Sequence, residues 1–284
     1  RARTKLPWGL IMNKPLAISM GEPAGVGPDI ALQLYARRSE LDLPPFCLFG
    51  HGDFLAARAA RLGLDIAFAP VGPEGAMDVF ATALPITPIP GNVPDHPGRT
   101  TPLSGNAVIH AIEAAVASTL EGSCRALITA PIHKGALYQA GFKHPGHTEF
   151  LAALAGVDHV VMMLASAQLR VVPATIHIPL SAVPTALTPA LLRQVITITA
   201  SGLRDQFGLT SPRIAITGLN PHAGEGGAMG QEELDWIADL IADMQNEGHA
   251  LTGPHPADTL FHAAARQRYD AAIAMYHDQA LIPI

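Results

Sequence analysis

The sequence predicts an α/β fold. Apolar runs too short for helices alternate with longer stretches of helical period, and several of these runs end in Gly, His or Asp. With 284 residues, 49% of them hydrophobic and 15% charged, the chain can bury the core of one large or two modest domains, which excludes general disorder. The formal net charge of -6 is spread along the chain without a Lys/Arg-rich run, so a small molecule rather than nucleic acid is the expected partner. Cys47 and Cys124 are isolated; they read as two buried thiols of a cytoplasmic protein, with no disulfide framework and no Cys-based zinc site. The longest apolar run, Val160-Val161-Met162-Met163-Leu164-Ala165, is far below the ~18 to 20 residues that cross a bilayer, so no membrane span is expected.

Residues 1–11 are basic and lack the apolar core of a secretory signal; they read as an extension outside the fold, with Met12 as the natural start. A first strand over 16–20 runs into Gly21-Glu22-Pro23-Ala24-Gly25-Val26-Gly27-Pro28-Asp29 and then a helix from Ile30. That glycine loop is neither a Walker A nor the dinucleotide G-x-G-x-x-G; its glycines permit a close backbone approach, to a cofactor or within a tight turn. A strand over 46–50, a helix over 53–62 and a strand over 65–69 follow. From 71 to 101 Pro and Gly dominate and no period is sustained, which predicts surface connection with one short strand at 84–86. Ser104 is read as the cap of a helix over 106–120, and a strand over 124–131 leads to His133 and Lys134. A domain boundary is expected there, giving a first α/β domain over 12–135 and a second over 136–284.

Gly146, His147 and Thr148 stand at the start of a helix, where free N–H groups and the helix dipole favour a phosphate or carboxylate; Thr148 as a plain N-cap is the alternative. Residues 160–165 and 169–178 form a possible hairpin that would make the sheet mixed. Thr188-Pro189 opens a long helix, and a strand over 213–218 feeds the glycine-rich Asn220-Pro221-His222-Ala223-Gly224-Glu225-Gly226-Gly227. A helix over 231–246 precedes a short helix carrying Asp258 and a last strand, 271–275, ending in Tyr276-His277-Asp278-Gln279.

Three predicted strands thus deliver a histidine: His177, His222 and His277. In open α/β sheets ligands bind beyond the carboxyl ends of strands, so these imidazoles are expected to converge on one ligand, a metal above all. Three neutral imidazoles and a carboxylate suit Zn, Co, Ni or Fe better than Mg. No H-E-x-x-H, C-x-x-C or G-x-S-x-G is present to favour a hydrolase.

Taken in order, the 21–29 loop, Gly146-His147-Thr148-Glu149-Phe150, Thr175-Ile176-His177-Ile178-Pro179-Leu180, the segment 218–230, Pro256-Ala257-Asp258-Thr259 and Tyr276-His277-Asp278-Gln279 resemble the 4-hydroxythreonine-4-phosphate dehydrogenase family of pyridoxal phosphate biosynthesis. The resemblance covers the chain from Met12 onward. It implies a two-domain, mixed-sheet fold similar to isocitrate and isopropylmalate dehydrogenases, an active site in the interdomain cleft, and a cytoplasmic homodimer. It implies that His177, His222 and His277 hold a divalent metal (Zn, Co or Mg), that Asp258 reaches this site from the neighbouring subunit, and that His147 and Thr148 hold the substrate phosphate. The implied reaction oxidises the C3 hydroxyl of 4-phosphooxy-L-threonine with NAD or NADP; the β-keto acid then loses CO2 to leave 3-amino-2-oxopropyl phosphate. A paralogous dehydrogenase for another small hydroxy acid, or a metal- and phosphate-binding protein without catalysis, are the alternatives. Family members continue beyond Ile284 with a lysine and further polar residues, so a chain ending there is expected to keep its metal histidines and lose turnover.

Overall fold

A computed structural model describes residues 13–91, 93–144 and 146–284. The extension expected at 1–11 lies outside the described residues. The chain divides into two compact units, one up to Asp158 and one from His159, each built on its own five-stranded sheet.

In the first unit β1 (Leu16–Ser19), helix α1 (Gly27–Ala36), β2 (Phe46–Gly50), α2 (Gly52–Arg61) and β3 (Phe68–Pro70) alternate as the apolar runs predict. Segment 71–101 departs from expectation. It contains a helix, α3 (Pro73–Val79), and β4 (Leu84–Pro88), which lies inside the sheet between β3 and β2. The short strand expected at 84–86 is present and runs to Pro88, whereas α3, opened by Pro73 at its first turn, is hidden from a reading based on period. α4 (Pro102–Leu120) starts earlier than expected: Thr101 is the cap, accepting from the Ser104 N–H at 3.3 Å, while Ser104 Oγ answers the Thr101 N–H in a capping box. β5 (Leu127–Thr129) completes an all-parallel sheet of order β3-β4-β2-β1-β5. Its central strand β2 is buried throughout, and Tyr35, Phe46 and Phe80 pack edge-to-face above it.

α5 (Lys134–Gln139) and α6 (His147–Ala155) close this unit. Leu137 and Phe150 from these helices, with Phe142 between them, pack against Val108, Ile112 and Val116 of α4. That apolar cluster is why the compact division falls after Asp158, whereas the sequence places a boundary after residue 135.

The second unit opens with a short antiparallel pair, β6 (Leu164–Ala165) and β7 (Arg170–Pro173), so its sheet is mixed. Only the last two residues of the apolar run at 160–165 pair as a strand. α7 (Pro189–Asp205), capped by Thr188, precedes β8 (Ile214–Thr217); a π-helical turn over Glu233–Ile237 continues into α8 (Ala238–Asn246). β9 (Leu251–His255) is not legible in the sequence, because Gly253 and Pro254 inside it read as a turn. β10 (Ala271–Ala274) runs through the centre, and the order is β6-β7-β10-β8-β9. Every residue of β8 and β10 is buried, and Ile214, Ile216 and Ile273 lie in one core with Leu192, Ile196, Ile237 and Ile241 of the helices.

Both cysteines are buried, as their isolation predicts, and burial pushes the Cys47 thiol up to about 11 and that of Cys124 to about 12. Among the described residues no helix is long and apolar enough to cross a membrane.

Candidate functional site

The three strands that deliver the histidines are direct neighbours, in the order β7-β10-β8, and parallel. Their carboxyl ends therefore open on one edge of the sheet. The ladder between β7 and β10 continues past both strands: Ala174 N–H donates to Ala274 O at 2.7 Å, and the Thr175 hydroxyl donates to Met275 O at 2.8 Å. His177 and His277 each follow two residues beyond the pinned pair of Thr175 and Met275, and their ring centroids lie 5.6 Å apart. Asp278 Oδ1 stands 2.8 Å from His277 Nδ1. A carboxylate only accepts, so Nδ1 carries the proton and the Nε2 lone pair is left for a ligand.

β8 is tied to β10 by Gln279. Its Oε1 accepts from the Met275 N–H at 2.7 Å and from the Thr217 hydroxyl at 2.9 Å, while Nε2 donates to Gly218 O at 2.9 Å. The sequence places Gln279 in a motif without giving it a role. Beyond Gly218 the backbone turns left-handed through His222 (φ 53°), Ala223 (φ 53°), Gly224, Glu225 (φ 45°) and Gly226. Glu233, 2% exposed, holds this loop: one carboxylate oxygen accepts from the Asn220 N–H at 2.8 Å and the other from Asn220 Nδ2 at 2.9 Å. Sequence reasoning misses it too, since nothing in the chain order relates an acidic residue at a helix start to a loop before it. His177 (φ 55°) shares the left-handed backbone. Such a conformation costs a non-glycine residue about 1–2 kcal/mol, and it occurs here at two of the three strand-end histidines.

His222 Nδ1 stands 3.8 Å from Asp258 Oδ2 of the same chain. Donors thus come as two pairs, His177 with His277 and His222 with Asp258. Among the described residues no three His, Cys, Asp or Glu side chains gather closely enough to enclose a cation. Three imidazoles, that of His277 with its tautomer set by Asp278, and a carboxylate fit a divalent transition metal by donor type, and among the described residues they do not close into one coordination set. A cavity of about 240 Å³ adjoins the first pair, walled by Leu180, Val183 and Tyr276.

His147 and Thr148 belong to the first unit, at the start of α6, whose cap is Gly146 and not Thr148. Lys134 Nζ lies 3.7 Å from where a side chain on Gly146 would begin, and the Glu149 carboxylate folds back to within 2.7 Å of the same point. A lysine and a helix N-terminus thus converge where an anionic group already rests. His147 is half-buried; burial lowers its pKa, and its Nε2 is closed off from solvent without a partner.

The glycine loop of the first unit follows β1 at the point where connections leave on both sides, toward β2 and toward β5. A Cβ on Gly21 would stand 2.6 Å from Pro131 O, and one on Gly27 2.8 Å from the Ala130 Cβ. These glycines therefore give the loop room against the exit of β5. Glu22, 4% exposed, accepts from the Ala24 N–H with one oxygen and leaves the other without a partner.

Residues 42–284 match the family described as pyridoxal phosphate biosynthetic protein PdxA. The chain is 61% identical, over 95% of its length and 80% of the relative's, to a 4-hydroxythreonine-4-phosphate dehydrogenase of Ruegeria sp. (strain TM1040). Its fold is similar to the crystal structure of a 4-hydroxythreonine-4-phosphate dehydrogenase from Burkholderia phymatum, with a TM-score of 0.84 at 34% identity over 95% of this chain and 82% of that one. A terephthalate 1,2-cis-dihydrodiol dehydrogenase from Burkholderia xenovorans LB400 is more distant, with a TM-score of 0.67 at 26% identity over the same shares. By the span of the family match and by this identity, the chain belongs to the PdxA family of pyridoxal phosphate biosynthetic proteins.

Proposed function

We propose that this protein catalyses the reaction for which its relatives are named, the metal-dependent oxidation of 4-phosphooxy-L-threonine by NAD+ or NADP+ with loss of CO2, giving 3-amino-2-oxopropyl phosphate. The observation that carries this reading is the juxtaposition of three histidine-bearing strand exits, β7, β10 and β8, in a chain 61% identical to a 4-hydroxythreonine-4-phosphate dehydrogenase.

In this reading His177, His222, His277 and Asp258 hold a divalent ion (Zn, Co or Mg). Such an ion would supply Lewis acidity to the substrate hydroxyl and to the carbonyl formed from it. Asp278 keeps His277 in the tautomer that offers Nε2, and Glu233 and Gln279 aim His222 by holding the exit of β8. His147, Thr148 and Lys134 anchor the phosphate at the start of α6, displacing the Glu149 carboxylate, so that the carbon to be oxidised is fixed for hydride departure. Val183, 2% exposed, and Tyr276 give the paired rings an apolar flank, with Leu180 at the open rim. The phosphate anchor belongs to the first unit and the metal donors to the second. A likeness of scaffold to isocitrate and isopropylmalate dehydrogenases is part of the proposal, and it accounts for dinucleotide use without a G-x-G-x-x-G fingerprint. A cytoplasmic homodimer is part of it too: two buried free thiols suit a reducing compartment, and donors that come in pairs leave coordination for a second copy to complete.

The test is formation of reduced nicotinamide and CO2 from 4-phosphooxy-L-threonine by the protein, with metal content measured in parallel. We expect turnover that a chelator abolishes, and in His222→Ala a loss of bound metal together with a fall in kcat/KM of two orders of magnitude or more, roughly the loss of a ligand that orients the substrate. Preferential turnover of an unphosphorylated dihydrodiol carboxylate would overturn the substrate assignment, and unchanged metal stoichiometry in His222→Ala would remove that residue from the site.

A further inference from the structure

A second polar cavity lies in the second unit, away from the paired histidine rings. It has a volume of about 410 Å³ between β9 and the two short helical turns, Ala257–Leu260 and Ala263–Arg266, that follow it. Leu260, 6% exposed, and Tyr269, 8% exposed, form its buried floor, and the Tyr269 hydroxyl already donates to Leu260 O at 3.1 Å. The polar wall is Thr252, His255, Thr259, His262 and Arg268, and no acidic side chain lines it.

The wall is a set of donors. His262 Nδ1 accepts from the Ala265 N–H at 3.3 Å, so its proton sits on Nε2, which is a donor. Arg268 carries five N–H groups, and among the described residues its guanidinium has no hydrogen-bond or ion-pair partner. His255 Nε2 pairs with the Thr252 hydroxyl at 2.9 Å, and burial together with the charge of Arg268 lowers the pKa of this ring, which sets the arginine within its field. The acidic residues nearest in the chain are committed elsewhere: Asp258 stands 3.8 Å from His222, and Asp270 is bound by Arg213 at 2.9 Å. Arg266 donates to Phe261 O and Pro283 O, so its charge also meets no carboxylate. In a chain of net charge -6, this is an open pocket with a buried floor, whose exposed rim carries the positive charge of Arg268 with no carboxylate beside it.

We propose that the cavity lined by His255, His262 and Arg268 is an anion site that takes a phosphate group, separate from the anchor at His147 and Thr148. The shared chemistry is a tetrahedral dianion bound by a guanidinium and an imidazole N–H, beside threonine hydroxyls that are already engaged with Pro256 O and His255. Two sources supply it, the phosphates of the dinucleotide cofactor and free phosphate. The first rests on the dehydrogenase reading; the site itself does not.

The test is calorimetric titration of inorganic phosphate into the protein carrying His147→Ala, which silences the other anchor. We expect one remaining phosphate per chain, with affinity weakened about tenfold or more by Arg268→Gln and also by His262→Asn, since a charge-assisted bond is lost in the first and a donor in the second. Asn keeps an oxygen to cap Ala265, and Arg268 has no partner to lose, so both variants should fold; an unchanged melting temperature checks this. Parallel titrations with NADP+ and NAD+ identify the source. A matching loss of dinucleotide affinity in Arg268→Gln assigns the site to the cofactor, and a loss for inorganic phosphate alone assigns it to free phosphate. Absence of phosphate binding in the His147→Ala chain, or binding that neither Arg268→Gln nor His262→Asn weakens, overturns the proposal whether or not the protein turns over its substrate.

Discussion

Two loops leave the carboxyl ends of interior strands, β1 and β8, one in each unit, and both are rich in glycine, yet they use it for opposite ends. After β1, the glycines make room. Gly21 (φ 71°) and Gly27 press against Ala130 and Pro131 at distances no side chain would tolerate. That loop is then clamped from the other side by Arg58, 1% exposed, which donates to Asp29 Oδ1, to Pro23 O at 2.6 Å and to Asp95 Oδ1 at 2.7 Å. After β8, left-handed backbone falls on His222, Ala223 and Glu225 although glycines stand beside them. Where the chain needs space it uses glycine and carries no strain. Where it needs to aim an imidazole it keeps the side chain and accepts the strained conformation, and Glu233 and Asn220 hold it there.

The largest effect expected from this contrast is at Gly21. An Ala there would meet a left-handed backbone costing about 1–2 kcal/mol and an overpacked contact costing about 1–3 kcal/mol, so Gly21→Ala should lower unfolding free energy by about 2–5 kcal/mol while metal affinity stays unchanged. Urea denaturation with parallel metal titration measures both; a neutral result would mean that the loop is not packed as described. A smaller effect of opposite sign is expected at Ala223. Glycine there relieves the left-handed strain but loosens the unfolded chain, for a net gain of about 0.5–1 kcal/mol. A destabilised Ala223→Gly would show that the β8 loop stores no strain, and the distinction between the loops would fail.

The same contrast between room and aim separates what is legible in the sequence from what is not. β1, β2, β8 and β10 are legible because both faces are buried, leaving continuous apolar runs with glycine or a polar residue at the exit. β4 is legible only as the short run 84–86 and β9 not at all, because prolines in them carry the marks of a turn while backbone pairing with β2, β3 and β8 holds them as strands. Of the site, the histidines can be named from their place after apolar runs, but the adjacency of β7, β10 and β8 cannot, since parallel strands 40 or more residues apart leave no local mark of who pairs with whom. Gln279 and Glu233 are invisible for a related reason. Their roles consist wholly of hydrogen bonds to other segments, and a glutamine or glutamate at a helix start reads as ordinary surface.

The smallest expected effect concerns the buried side of the comparison. His147 in the first unit is half-buried with an unpartnered Nε2, and its pKa is held below the ordinary 6.5 by burial alone. In the unfolded chain the ring takes up a proton near 6.5, whereas in the folded protein it does so only at lower pH. Between those values the unfolded state binds more protons, so stability is full above pH 6.5 and declines as pH falls through that window, levelling off below the folded pKa. His255, lowered by burial and by Arg268, adds a contribution of the same sign. Unfolding free energy measured from about pH 8 to about pH 5 in the parent and in His147→Gln isolates the His147 share: the parent curve should fall more steeply below pH 6.5, with His255 and, toward the acid end, the paired carboxylates of Asp95, Glu232 and Asp270 contributing to the slope that remains. Parallel curves would place the His147 ring in contact with water, and then the anchor at α6 would be an open surface rather than the closed, pre-oriented donor that holding a phosphate against the oxidised carbon requires.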